Sequence, residues 1–333
     1  MIRVIRIIIV SLFALAWGVT QAQDPEFSQF YANPLYLNPA LAGSTECGRL
    51  GLNYRSQYPS LSKAYVTYNI AYDQSLPGMN SGIGFIVMSD AQGDGALVRN
   101  SISAIYAYKL QVSNPVLISF GVKGGYYQEY LNWDKLTFGD QINPTTGNIS
   151  PTTLESPPIN DNISVIDFSA GAVMSYLDQF FFGVAVDHIN QPSLSFYDND
   201  SKLPMKIAFH GGAIINASEG GLGNASGGDV VIQPNLLYMQ QENFRQLNVG
   251  LYVKKYPFVL GSWFRHNFEN PDAVVALIGI TYNNFRVGYS YDFTVSQMGG
   301  QAGGAHEISF AWDFCVYKES ARRRIRAINS PSF

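Results

Sequence analysis

The chain has 333 residues, with 25 Asp+Glu against 21 Lys+Arg and a net charge of −4. That balance gives no electrostatic footprint for nucleic acid. Two cysteines and four scattered histidines provide no metal-ligand spacing and no disulfide framework. No cofactor and no catalytic residue are expected.

Residues 1–22 read as an export signal. Arg3 and Arg6 form a basic start, Ile7 to Val19 an apolar core, and Thr20-Gln21-Ala22 a small-residue cleavage site. The apolar stretch Ile7 to Val19, 13 residues, is short of the ~20 needed for a helical span. No later stretch has 18 consecutive apolar residues. Any integration into a membrane would therefore be through strands.

Residues 23–47 carry two Asn-Pro pairs, Asn33-Pro34 and Asn38-Pro39, among Phe27, Phe30, Tyr31 and Tyr36. Proline removes a backbone donor and restricts the residue before it, so this is not regular ladder strand. Its rings need cover, and the lumen of a barrel would supply it. A plug, or a segment that engages periplasmic machinery, is the expected role.

From residue 48 onward the chain alternates with a period of two. Strands are expected at 48–58, 63–73, 82–90, 98–110, 115–130, 164–176, 179–188, 203–216, 229–240, 243–253, 258–266, 273–283, 284–293 and 305–314. In the last, Ile308, Phe310, Trp312 and Phe314 share one face, and Glu307, Ser309, Ala311 and Asp313 the other. In the thirteenth, Phe285 to Phe293 alternates with Arg286, Gly288, Ser290 and Asp292. Fourteen is an even number, as a bacterial single-chain barrel requires. Most long connections fall at one end and most short ones at the other, with 217–228, 59–62 and 241–242 as exceptions. A secreted sandwich or propeller would also alternate, but a sandwich core is rich in Leu, Val and Ile. Here the proposed outer face is dominated by Tyr, Phe and Trp, and the inner one by Gly, Ser, Asn and isolated charges. An all-β, 14-stranded antiparallel transmembrane barrel over 48–314 is favoured. Arg286, Asp292, Glu307 and Asp313 are then charges of the lumen.

Three further features stand out. Asp187-His188-Ile189-Asn190-Gln191-Pro192 sits where the seventh strand meets its loop. A histidine beside a carboxylate invites a catalytic reading, but no nucleophile elbow or metal spacing accompanies it. Asp187, His188, Asn190, Gln191 and Pro192 are candidates for shaping the loop or contacting a partner. Loop 131–163, with Pro144, Pro151, Pro157 and Pro158, cannot form a core and is the first candidate recognition surface. The tail 315–333 carries Arg322, Arg323, Arg324 and Arg326, a candidate periplasmic contact for acidic partners or anionic headgroups. Cys47 and Cys315 flank the barrel and could pair in an oxidising compartment.

Gln23 to Gly43, Q-D-P-E-F-S-Q-F-Y-A-N-P-L-Y-L-N-P-A-L-A-G, resembles the opening of the PorP/SprF family of outer-membrane proteins of the Bacteroidota type IX secretion and gliding system. The Asp187–Pro192 run, Asp167-Phe168-Ser169-Ala170-Gly171, Tyr291-Asp292-Phe293 and His306-Glu307-Ile308-Ser309 add to it. The resemblance implies a non-enzymatic outer-membrane barrel like those of the fatty-acid-transporter superfamily. The even strand number and the distribution of short and long connections put both termini in the periplasm. Its implied partners are type IX components, the C-terminal domain of a secreted cargo or adhesin, and outer-membrane lipid. A core component associated with the periplasmic ring, and a solute channel, stand as alternatives.

Overall fold

The computed structural model describes residues 24–61, 64–197, 201–217, 230–295 and 303–314. The strands are β1 (Gly48–Gln57), β2 (Tyr65–Leu76), β3 (Ser81–Gln92), β4 (Leu97–Ser113), β5 (Val116–Leu131), β6 (Asn162–Tyr176) and β7 (Phe180–Asp187). They continue as β8 (Lys206–Ala213), β9 (Ile215–Asn216), β10 (Val230–Gln241), β11 (Phe244–Lys255), β12 (Phe258–His266), β13 (Pro271–Tyr282), β14 (Phe285–Thr294) and β15 (Ala305–Phe314). Every neighbouring pair is antiparallel, and β1 pairs with both β2 and β15, which closes the ring. β8 and β9 both pair with β10 and form one stave, so the barrel has fourteen.

The expected strand 203–216 is the one that differs in kind. Its ladder is interrupted at Ile214, whose N–H bonds to the Gln179 carbonyl (2.7 Å) across the neighbouring turn. Elsewhere only edges move. β4 runs to Ser113 because a bulge at Gln111/Ser113 lets pairing continue past the alternating stretch.

Alternation sorts the side chains as a bilayer requires. Ile70, Phe85, Ile102, Phe120, Val122 and Phe182 are exposed on the outer wall. Arg49, Asn53, Arg55, Asn69, Lys123 and Glu307 are buried inside. Exposed apolar surface on this scale is stable against lipid and not against water. Among the described residues no helix is long and apolar enough to cross a membrane.

The connections 77–80, 114–115, 177–179, 256–257 and 283–284 lie at one rim, the turn rim. Those at 93–96, 132–161, 242–243 and 267–270, with the described residues 58–61, 188–197, 201–205 and 303–304, lie at the other, the loop rim. The long loop 132–161 is largely exposed, with two short 3-10 turns and an Ile142–Ile149 bridge.

Residues 24–44 lie inside the ring of strands. They fold as three tight turns, Phe30–Ala32, Pro34–Leu37 and Pro39–Leu41. Each Asn-Pro pair starts a turn with proline at its first position, where no N–H is needed. Asn38 caps the third by accepting from the Ala40 N–H (2.9 Å).

Candidate functional site: the inner segment and its anchors

The lumen wall has two characters. Between β5 and β13 it carries an apolar band, in which Leu117, Val173, Phe181, Leu237, Val259, Trp263 and Leu277 form one cluster with Phe30, Tyr31, Leu37 and Leu41 of the inner segment. Phe30 meets Trp263 edge-on at 4.6 Å and Tyr31 meets Phe181 at 5.8 Å. From β14 through β15 and β1 to β2 the wall is polar and charged.

Close approach requires small residues on the wall. A Cβ at Gly121 of β5 would fall into the backbone of Pro39 and Ala40, and one at Gly82 of β3 into that of Ala42. Asn38 donates from Nδ2 to the carbonyls of Ala172 (3.2 Å) and Val184 (3.0 Å). Ser119 donates to the Ala40 carbonyl (2.7 Å).

Three polar anchors hold the segment. At the loop rim the Asp24 carboxylate meets Lys206 Nζ (2.8 Å), His188 Nε2 (2.8 Å) and Arg99 Nη1 (3.5 Å). His188 Nδ1 faces Asp167 Oδ1 (3.0 Å), and Lys123 pairs with Asp187 (2.7 Å). Burial pushes the Asp24 carboxyl up, yet Lys206, His188 and Arg99 together hold it well below the usual carboxylate range. Burial also works against a charged His188, but the Asp24 and Asp167 carboxylates raise it to about 9.

At mid-height Glu307 accepts from the backbone N–H groups of Ser28 (2.7 Å) and Gln29 (3.1 Å). Arg55 links Glu307 (3.1 Å) and Asp292 (2.9 Å), and Arg265 adds a second contact to Asp292 (3.1 Å). Gln29 donates to the Glu307 carbonyl and Ser290 Oγ and accepts from Ser309 Oγ. At the turn rim the Gly43 N–H donates to Asp73 (2.8 Å), which Arg49 holds from its other side. Lys109 donates to the Gly43 carbonyl.

Segment 24–44 thus crosses the lumen from loop rim to turn rim. Asp24 stands at the opposite rim from Phe314; the two ends of the chain, expected in the periplasm, lie outside the described residues. A cavity of about 730 Å³ opens above it at the loop rim, lined in part by Glu26, Tyr58, Tyr65, Asp90, Arg245 and Asp272.

The sequence-selected residues fall into three groups. Phe27, Phe30, Tyr31, Asn33, Pro34, Asn38 and Pro39 are buried in the lumen; Tyr36 is half-buried, with its hydroxyl on the Pro25 carbonyl (2.5 Å) and its ring against Phe27 (5.2 Å). The Asp187–Pro192 run divides. Asp187 and His188 point into the lumen and belong to the Asp24 anchor, so their partner is the chain itself. Asn190 pins β6 from outside through Phe168 N (3.0 Å) and Ile166 O (2.7 Å), Gln191 is exposed, and Pro192 is buried and accepts from Leu203 N (2.8 Å). Arg322, Arg323, Arg324 and Arg326, the export signal and Cys315 lie outside the described residues; Cys47 is disulfide-bonded. Arg286, expected among the lumen charges, pairs with Asp313 of adjacent β15 (2.7 Å).

Asp24, Ser28, Gln29, Arg99, Lys206 and Asp73 were not singled out from sequence. For Asp24, Ser28 and Gln29 the signal available was the opening Q-D-P-E-F-S-Q-F itself, in which the polar residues anchor as much as the rings do; for Arg99, Lys206 and Asp73 local pattern offered none. Among the described residues no group of three or more His, Cys, Asp or Glu side chains is placed to hold a metal.

Aromatic-rich outer wall, charged lumen and ring closure define an outer-membrane β-barrel whose lumen is occupied by its own N-terminal segment. Residues 19–312 match the family described as type IX secretion system membrane protein PorP/SprF. The chain belongs to that family, and is an outer-membrane β-barrel. No curated protein matches it. Among solved structures it is similar to the Ralstonia pickettii toluene transporter TbuX (10% identity, 84% of this chain and 93% of that one, TM-score 0.47). It is also similar to the P. putida toluene transporter TodX (9%, 84% and 93%, 0.46) and a Pseudomonas aeruginosa FadL homologue (12%, 83% and 93%, 0.43). The fold assignment rests on the strand register given above.

Proposed function

We propose that this barrel helps export, or hold at the cell surface, a secreted protein carrying a type IX C-terminal signal domain, such as a large adhesin. Family membership over 19–312 carries this reading. A lumen crossed by residues 24–44 supports it, because the barrel then works through its rims and loops and the inner segment serves as a plug. The long loops face outside and the turn rim faces the periplasm, where type IX components meet it. Loop 132–161 is the recognition surface for cargo: Leu154 is 94% exposed and Ile159 79%, apolar side chains held out into solvent. The tail Arg322, Arg323, Arg324 and Arg326 contacts periplasmic partners.

The test is a mild-detergent capture of the tagged full chain from native membranes, followed by mass spectrometry. A secreted protein with a type IX C-terminal domain should co-purify, and replacing Leu154 and Ile159 by serine should reduce its yield several-fold. Periplasmic ring components without cargo would place the chain in the core machinery instead. Recovery of neither would overturn the reading.

A further inference from the structure

Three asparagines in the polar half of the lumen stand apart. Asn33, Asn53 and Asn69 are each at least 96% buried (1%, 4% and 1% exposed), and neither amide atom of any of them has a hydrogen-bond partner in the protein. They are the only buried amides among the described residues left with both atoms unbonded. Buried polar groups in folded proteins are satisfied by protein or by ordered water.

Their placement is shared. Asn53 of β1 and Asn69 of β2 are direct register partners, and both face inward. Asn53 also pairs in register with Ser309, whose hydroxyl donates to Gln29 (2.6 Å). One rung nearer the turn rim, Gly51 pairs with Ala71 and Ala311. Ala71 clusters with Leu35 of the inner segment. Asn33 thus lies between two residues, Gln29 and Leu35, that touch this wall on the rungs at and just below Asn53 and Asn69. The wall recedes below them: a Cβ at Gly51 would meet nothing nearer than 3.9 Å. One rung above, Arg55 Nε has no partner, and one rung further Asp292 Oδ1 has none. Thr67, the next inward residue of β2 towards the loop rim, lines the 730 Å³ cavity.

We propose that Asn33, Asn53 and Asn69 form an internal hydration site, in which ordered water bridges the inner segment to the β1–β2 wall. The ligand is water rather than a cation, because the three side chains are neutral amides that offer donors as well as acceptors. An amide has two donors and can accept twice, which suits waters making two to four bonds each. The site communicates with the loop-rim cavity through the rung of Arg55 and Thr67. On this wall the segment is therefore seated partly through exchangeable solvent, beside its ring contacts with Trp263 and Phe181.

The first test is a structure of the detergent-solubilised full chain at a resolution that shows ordered water. Water within about 2.7–3.2 Å of at least two of the three side chains is expected. Amides bonded directly to each other or to protein groups, with no water between them, would overturn the proposal. A second test is the Asn53→Leu/Asn69→Leu double variant, which should keep the barrel and lose those waters. Asn69→Ala, the milder change, should retain the fold and gain water in the space vacated. An Asn69→Ala site that collapses dry would count against the proposal.

Discussion

The two halves of the lumen hold the same segment by different physics. On the side of Phe181, Trp263 and Leu277 the contact is apolar, non-directional and tolerant of small shifts. On the side of Glu307, Arg55 and Asp292 it is a set of directed bonds in which each partner is buried and depends on the others. The difference teaches that register is fixed by the polar half and adhesion by the apolar half. A buried pair contributes little net energy when intact but costs much when half of it is removed. An apolar contact loses roughly in proportion to what is deleted.

Breaking the polar half should therefore have the largest effect. Arg55→Ala leaves Glu307 and Asp292 facing each other without their shared cation, and should destabilise the folded barrel by about 3–5 kcal/mol. The denaturant midpoint of the heat-modifiable band reads this out, and a shift under ~1 kcal/mol would remove the polar half from its role. Phe30→Ala should cost about 3 kcal/mol through loss of area and the cavity left against Trp263. Its signature is a lowered midpoint with the Ser28 and Gln29 amides still protected from exchange, because the polar register survives. Gly121→Val should displace the segment near Pro39 and Ala40 while leaving the strands paired. The expected result is protease cleavage within 24–44 on an otherwise resistant barrel.

The loop-rim anchor is the smallest and the most pH-sensitive. His188, raised from its ordinary 6.5 to about 9, contributes stability that is fully present below 6.5 and is lost as pH rises through 9. Asp24, held below its ordinary 3.8, contributes stability present above that value and lost as pH falls through its lowered one. Amide protection at 24–29, taken as the ratio of intrinsic to observed exchange rate, should thus be greatest between about pH 4 and 6.5 and fall as pH rises through 9. Asp24→Asn should cost about 1–2 kcal/mol and flatten the alkaline limb; an unchanged limb would disprove the assignment.

Much of this was legible in the sequence because a strand between lipid and lumen writes its two faces into alternate residues. Ile308, Phe310 and Trp312 against Glu307, Ser309 and Ala311 needed no tertiary information. The Asn-Pro pairs marked 23–47 as something other than ladder. The pairing of charges was not legible: Asp24 reaches His188 across 164 residues and Lys206 across 182, and local pattern carries no trace of either. Arg286 shows the same limit, since its partner depends on the β14–β15 register. The direction in which 24–44 crosses the lumen was hidden for the same reason, and with it the rim at which Asp24 stands.

The proposed closure of the lumen by residues 24–44 can be read in planar-bilayer conductance. The mature full-length protein should insert without steady conductance, and a form lacking residues 24–44 should open persistent channels. A large, stable conductance from the full-length protein, unchanged by that deletion, would contradict the account.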